Sequence, residues 1–382
     1  MDKQKICIIG GGLTGLVTAI SLSKFDFEID LITENIIKKP KSPRTIAISQ
    51  ENFNYLNKLN IFQSSKEEIW VSSKMKLYTE SENEKFLEVF EMDKKNKNEN
   101  IFYMVENHKI MKLMLNRIKK NKSISLIKNK KISSIYTSGI LKNVKFQNNA
   151  SKYNLVIIST GYENVLTKNF LNDKVIRNSY KEFAIATIIK HSHINNIIAR
   201  QIFLNNSIFA MLPISKTRTS IVWSIKNSMK NKNDSFFKEK IKKYASNYLK
   251  NLKFVSSLEK KDLNFMLRKK YYSERILLFG DALHQMHPFV GQSFNMTLRD
   301  LKSLEKIMKE KINLGLDIGS SDVLSEFSNK AKPRNFSFSM GSDILKNILS
   351  LKKARNDIFK ILNKSNFAKD IMFDVANKGF RF

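Results

Sequence analysis

Cysteine occurs once in this 382-residue chain, proline five times and tryptophan twice, and acidic side chains number 35 against 67 Lys and Arg. The lone Cys7 excludes an intrachain disulfide and fits a reducing compartment, where its simplest role is a small buried strand residue. Long apolar runs are scarce. Residues 6–23, ICIIGGGLTGLVTAISLS, are uncharged behind the basic start MDKQK, but Gly10, Gly11, Gly12 and Gly15 would weaken a spanning or signal helix, and there is no A-x-A cleavage site. The shortage of acid leaves a net charge of +32. Basic residues are spread along the chain without an Arg-rich or aromatic-interleaved patch, and Lys, Asn and Ile dominate as an A+T-rich genome would dictate. Compositional drift therefore outweighs nucleic-acid binding, while an anionic membrane surface stays open.

What is present suits a folded enzyme-sized protein. A hydrophobic fraction of 42% is that of a globular chain, and the length favours two domains or one large α/β domain with an inserted layer. KICIIG reads as a buried strand, LTGLVTAISLSKF as the helix after it and FEIDLITE as the next strand, a β-α-β unit. NLVIIST and ERILLFGDA read as two more buried strands, and VENHKIMKLMLNRIKK places Ile110, Leu113, Met114 and Ile118 on one helical face. Between them, residues 183–225 read as three or four strands in a row, which predicts an antiparallel sheet. DSFFKEKIKKYASNYLKNL and SFNMTLRDLKSLEKIMKEKI read as helices. The expected architecture is α/β: a discontinuous Rossmann-like cofactor domain over 1–73, 101–176 and 268–331, an inserted antiparallel substrate domain over 74–100 and 177–267, and a C-terminal helical segment over 332–382.

GGGLTG satisfies G-x-G-x-x-G at Gly10, Gly12 and Gly15, after a strand and opening a helix, with Leu13 and Thr14 in the turn. Glycines allow close backbone approach, and the helix N-terminus offers free N–H groups to a pyrophosphate. Glu34 follows Gly15 by 19 residues, where a carboxylate would bind ribose hydroxyls. A second stretch, RILLFGDALHQMHPFVGQSFNMTLRD, spaces His284 and His287 like metal ligands on one helical turn, yet no cysteine or carboxylate pattern completes such a site. Its apolar strand instead delivers Asp281 at a C-terminal strand edge, the usual ligand position in such sheets.

With its strand, that stretch resembles the second FAD motif of the para-hydroxybenzoate hydroxylase class of flavoprotein monooxygenases, in particular the ubiquinone-biosynthesis hydroxylases with G-D-A-x-H-x-x-H-P-x-x-G-Q-G-x-N. The resemblance implies that Asp281 binds the flavin ribityl chain and that Pro288, Gly291, Gln292 and Asn295 line the ring. PRTIAIS resembles the R-x-x-A-L-S segment, which implies that Arg44 lies near the flavin. The V-E-N helix, FAMLPI, SIVWS and FSMGSDILKNI extend the likeness over nearly the whole chain. The implied activity is hydroxylation of the aromatic ring of a polyprenylated ubiquinone precursor by O₂, through a flavin C4a-hydroperoxide and with NADPH or NADH as donor. No side chain is assigned as a catalytic acid, base or nucleophile. The implied location is cytoplasmic, with contact to the inner-membrane surface or a quinone-biosynthesis complex.

Three departures from the family pattern bear on function. STGYEN places Thr160 and Asn164 where the family has Asp and Ser, a segment tied to FAD and to the reduced nicotinamide. Ser293 and Thr297 replace glycines of the second motif. These keep open a degenerate accessory subunit of a quinone-biosynthesis assembly; an NAD-dependent dehydrogenase on the N-terminal unit is the third reading. Residues 342–364 form a basic amphipathic pattern, with Ile344, Leu345, Ile348, Leu349, Ile358, Phe359 and Leu362 at helical spacing, which fits either an anionic lipid surface or an ordinary packed helix.

Overall fold

The structure, a computed structural model, describes residues 3–34, 42–63, 66–81, 85–94, 99–147, 149–161, 166–167, 175–205, 207–287, 292–351, 358, 370 and 374. Its central sheet has the strand order Tyr272–Ser273, Ile276–Leu278, Leu155–Ile158, Lys5–Ile9, Glu28–Thr33, Ile124–Lys128. The last five run parallel, and Tyr272–Ser273 adds an antiparallel edge. LVII and ILL are buried at every position, as parallel strands covered on both faces must be. Cys7 is one of these fully buried strand residues, and burial pushes its thiol pKa well up, so it is inert.

Six helices are described: α1 (Leu13–Leu22), α2 (Gln50–Lys58), α3 (Asn107–Lys119), α4 (Asp234–Ala245), α5 (Ser293–Asn313) and α6 (Ser321–Ser350). α1 packs on both α3 and α5, and α5 packs on α6. Ile110, Met114 and Ile118 of α3 are buried, as their spacing requires, while Leu113 is partly covered. An antiparallel meander, Ile132–Ser138, Leu141–Phe146 and Asn149–Tyr153, contacts the central strands. It was not evident in the sequence, because Lys, Asn and Ser crowd its alternation.

The second, nine-stranded sheet is antiparallel except where Ile198–Phe203 runs parallel to Lys74–Glu80. From one edge it runs His284–Gln285, Glu259–Arg268, Val175–Lys190, Arg218–Lys226, Ile208–Ser215, Ile198–Phe203, Lys74–Glu80, Phe86–Asp93, and the ninth strand, Lys253–Phe254, pairs with Val175–Lys190 off this path. The bunched strands expected over 183–225 are thus four, starting earlier at Val175. Alternation divides the sheet chemically. One face buries Phe183, Ile185, Phe209 and Trp223 against Phe237 and Ile241 of α4. The other presents Ala186, Ala199, Ala210 and Val222, and meets a small sheet of Thr45–Ser49, Phe102–Glu106 and Trp70–Ser72. α6 passes through Pro333 without ending, so the expected boundary between 268–331 and the C-terminal segment 332–382 falls inside a helix.

Candidate active site

The first motif packs as its glycines require. Gly10 has φ +130°, and a Cβ there would lie 2.6 Å from the Ser159 carbonyl oxygen; one on Gly15 would lie 1.9 Å from the Gly10 carbonyl. Gly12 differs, since nothing lies within 4 Å of its added Cβ. The N-terminus of α1 therefore has tight backbone on one side and open space on the other. Gly12 caps it without a side-chain bond, and no acidic residue occupies its first turn. Those free N–H groups are what an anionic phosphate needs. Leu13 opens the helix, and Glu34 lies exposed just beyond the strand Glu28–Thr33.

Thr14 ties the two motifs together. Gly280, at φ +63°, would place a Cβ 2.6 Å from Thr14 Oγ1 and Cγ2, so the turn holding Asp281 lies against the start of α1. Asp281 is exposed and accepts a hydrogen bond from Ser293 Oγ at 3.1 Å. Gln292, which caps α5, is buried with neither carboxamide atom partnered. A buried unsatisfied amide is destabilising by about 1–3 kcal/mol, so this one points to a ligand or water. Thr160 Oγ1, at the end of the neighbouring strand, is likewise unpartnered. Open helix N-terminus, exposed strand-end carboxylate and orphaned amide suit the pyrophosphate, ribityl and ring of FAD. Pro288 and Gly291, and the substituted Asn164, lie outside the described residues.

Other predicted residues are engaged by the protein itself. Arg44 pairs with Glu259 across to the second sheet. Asn295 is fully buried; its Nδ2 donates to the Ala47 carbonyl at 2.8 Å, and its Oδ1 accepts from Ser49 N and Asn52 Nδ2, each at 3.0 Å. Asn295 thus stitches α5 to the strand Thr45–Ser49. Glu106 of the V-E-N segment accepts two bonds of 3.1 Å from Arg218, locking the start of α3 to the second sheet.

The two histidines serve different carboxylates. Buried His284 lies 3.2 Å from Asp300, which also accepts from Arg334 at 2.9 Å and Asn335 at 2.7 Å. His287 Nε2 lies 3.1 Å from Glu182, whose other oxygen accepts from Lys346 Nζ at 2.7 Å. Tyr180 meets the His287 ring edge-on at 5.1 Å. Burial lowers the His287 pKa despite the opposing Glu182 bond. Burial by itself would raise that of Glu182, but the hydrogen bonds from His287 and Lys346 reverse it, and the net shift is downward. The Tyr180–Glu182–Lys346 group was not anticipated, because Lys346 lies 164 residues from Glu182 in the chain.

A cavity of about 100 Å³ lies where these parts converge. Ala199, Gln201, Ala210 and Val222 line it from the second sheet, Thr45 and Ala47 from the small sheet, and His287 from the end of the second motif.

A family described as an FAD binding domain matches residues 174–335, a span holding the second motif and most of the second sheet. The mitochondrial ubiquinone biosynthesis monooxygenase COQ6 of Dictyostelium discoideum is 23% identical over 97% of this chain and 88% of its own length. The ubiquinone hydroxylase UbiM of Neisseria meningitidis is 25% identical over 60% of this chain and 50% of its own. The chain thus carries a match to an FAD binding domain and is similar to ubiquinone hydroxylases over nearly its whole length. Solved structures share its fold: PqsL, a probable FAD-dependent monooxygenase from Pseudomonas aeruginosa (TM-score 0.77, 12% identity, 95% of this chain and 100% of that one), and p-nitrophenol 4-monooxygenase PnpA from Pseudomonas putida (0.74, 14%, 100% of each).

Proposed function

We propose that this flavoprotein hydroxylates the aromatic ring of a polyprenylated phenol in ubiquinone biosynthesis. The observation that carries the reading is the cavity, which joins the apolar face of the second sheet to the end of the second FAD motif at His287. On this reading the cofactor domain comprises 1–73, 101–176 and 268–331, and the substrate domain 74–100 and 177–267.

The residues that would hold FAD are Gly10, Gly12 and the first turn of α1 at the pyrophosphate, Glu34 at the ribose, Asp281 at the ribityl chain and Gln292 at the ring. Bound there, FAD supplies the activation of O₂ for transfer to an electron-rich ring. The protein's part is to bind, orient and exclude water. Ala199, Ala210 and Val222 give the ring an apolar bed, while Asn295 holds the strand Thr45–Ser49 against α5 so that the cavity keeps its shape. No side chain is needed as a nucleophile. NADPH or NADH is proposed as donor, at a rate restrained by Thr160. The purified chain should be yellow with one FAD per chain, Asp281→Ala should lose most of it, and a phenol bearing a short prenyl tail should gain one oxygen atom from ¹⁸O₂. A colourless folded chain that cannot be reconstituted with FAD overturns the reading.

One observation favours a second reading, a flavin-poor accessory subunit: Ser293 Oγ already donates to Asp281. Ser293→Gly should then tighten FAD binding by about tenfold, roughly 1.4 kcal/mol, as removal of a competing hydrogen bond predicts. Unchanged affinity, with FAD present in the wild type, rejects it.

A further inference from the structure

Gln201 is the one residue in the sheet row across the cavity whose chemistry does not match its place. Its cross-strand neighbours are Leu77 and Ala210, and the row continues to Val222 and Ala186. On its own strand the same face carries Ala199 and Phe203, both in the apolar cluster with Ala47 and Phe102. Gln201 is 4% exposed, it lines the cavity, and its Nε2 has no hydrogen-bond partner.

A buried amide donor with nothing to donate to destabilises a fold, and an apolar side chain of equal size would remove that penalty. Leu or Met would suit every neighbour that Gln201 has. The small side chains around it make matters plainer: Ala47, Ala199 and Ala210 leave room in front of the carboxamide where larger residues would close over it. Space, a largely apolar surround and the orphaned Gln201 amide, with Thr45 Oγ1 and Arg200 Nε the other unpartnered polar atoms of the lining residues, describe a site that reads an acceptor atom on an otherwise apolar ligand.

We infer that Gln201 is the recognition residue for the ring oxygen of the substrate, donating from Nε2 to a phenol or quinone oxygen while the alanines and Val222 bed the ring. This rests on the aromatic-hydroxylase reading above and deepens it: a ring carrying oxygen is selected over a hydrocarbon. A site built to hydrogen-bond its ligand rejects the analogue lacking the group much more strongly than a greasy pocket rejects an added one. Gln201 touches the substrate but moves no proton; its role is to fix which edge of the ring faces the flavin side of the cavity.

The test uses the FAD-loaded full chain and two probes of nearly equal shape, 2-geranylphenol and geranylbenzene, with binding read by calorimetry. Wild type should prefer the phenol by tenfold or more. Gln201→Met, close in volume, should weaken the phenol about tenfold and leave geranylbenzene unchanged or tighter, with FAD content intact and the melting temperature equal or higher. Gln201→Leu provides the same comparison if Met fills the cavity. Equal weakening of both probes, or of neither, overturns the role of Gln201 and leaves the hydroxylase reading standing. Wild-type protein that holds FAD but binds neither probe overturns the polyprenylated-phenol reading, and with it the ligand assigned to Gln201.

Discussion

Gly12 and Gly15 belong to one motif but answer to different partners, and substitution separates them. Gly15→Ala forces a Cβ to within 1.9 Å of the Gly10 carbonyl, which no rotamer relieves, so the β-α-β unit must open; the variant should melt many degrees lower or fail to accumulate. Gly12→Ala meets no protein atom within 4 Å, so its melting temperature without FAD should stay within about 2 °C of wild type while bound FAD drops at least tenfold. If Gly12→Ala keeps its FAD, the open side of α1 is not the pyrophosphate site. His287 supplies a pH test. Its folded pKa lies below the ordinary 6.5 because it is buried, so as pH falls below about 6.5 the unfolded chain takes up a proton that the folded chain refuses, and stability declines. Glu182, net lowered, adds a second decline below about 4.5, where the unfolded carboxylate protonates first. Melting temperatures at pH 7.5, 6.0 and 5.0 should fall in that order, and His287→Gln should flatten the drop; an unaltered slope in the variant assigns it to other groups. At this scale the two motifs were legible because their chemistry is local. Gln201 was not, since nothing in IARQIF tells which face of its strand looks into a cavity.

Single elements were legible in proportion to their purity of pattern. The uninterrupted apolar strands KICII, LVII and ILL and the 3.6-residue period of α3 read directly into structure, whereas the meander over 132–153 hides its alternation under Lys, Asn and Ser. α6 illustrates what local pattern cannot decide. Lys346 belongs to the basic pattern over 342–364, yet it is 8% exposed, lies 4.7 Å over the Tyr180 ring and is paired to Glu182, 164 residues away. Leu345 packs on the apolar cluster of Ala47 and Phe102, and Ile348 is half-covered. The packed-helix reading therefore takes this turn of α6, while Phe359 and Leu362 lie outside the described residues. Lys346→Ala leaves Glu182 with His287 alone and should destabilise by about 2–3 kcal/mol, several degrees of melting temperature. Lys346→Met combined with Glu182→Gln should recover much of that loss, because an absent pair is less costly than a broken one. Thermal melting of wild type, Lys346→Met, Glu182→Gln and the double variant decides, and a fully additive double variant would show that the pair is not coupled.

The whole molecule poses the problem of reaching a substrate dissolved in lipid. Among the described residues no helix is long and apolar enough to cross a membrane, so on the proposed function the ring must be reached from the surface or handed over by a partner. Two properties favour the surface. The net charge of +32 attracts any anionic bilayer, with each Lys or Arg near it contributing about 1 kcal/mol. Phe336, Ile344 and Leu351 stand 46%, 53% and 62% exposed on α6 and at its end, on the helix whose Leu345 backs the cluster beside the cavity. Charge would bring the protein to the bilayer and those three side chains would seat it. The two contributions separate by experiment, because salt screens the first to a Debye length of about 3 Å at 1 M and leaves the second. Wild-type protein should co-sediment with vesicles rich in anionic lipid at low salt and release only in part at high salt. Phe336→Glu with Ile344→Glu and Leu351→Glu should make release at high salt complete and melt within a few degrees of wild type, since all three positions face solvent. A triple variant that sediments like wild type at every salt concentration places the contact elsewhere on the basic surface. Wild-type protein that stays in the supernatant at low salt rules out the lipid route and leaves delivery by a partner.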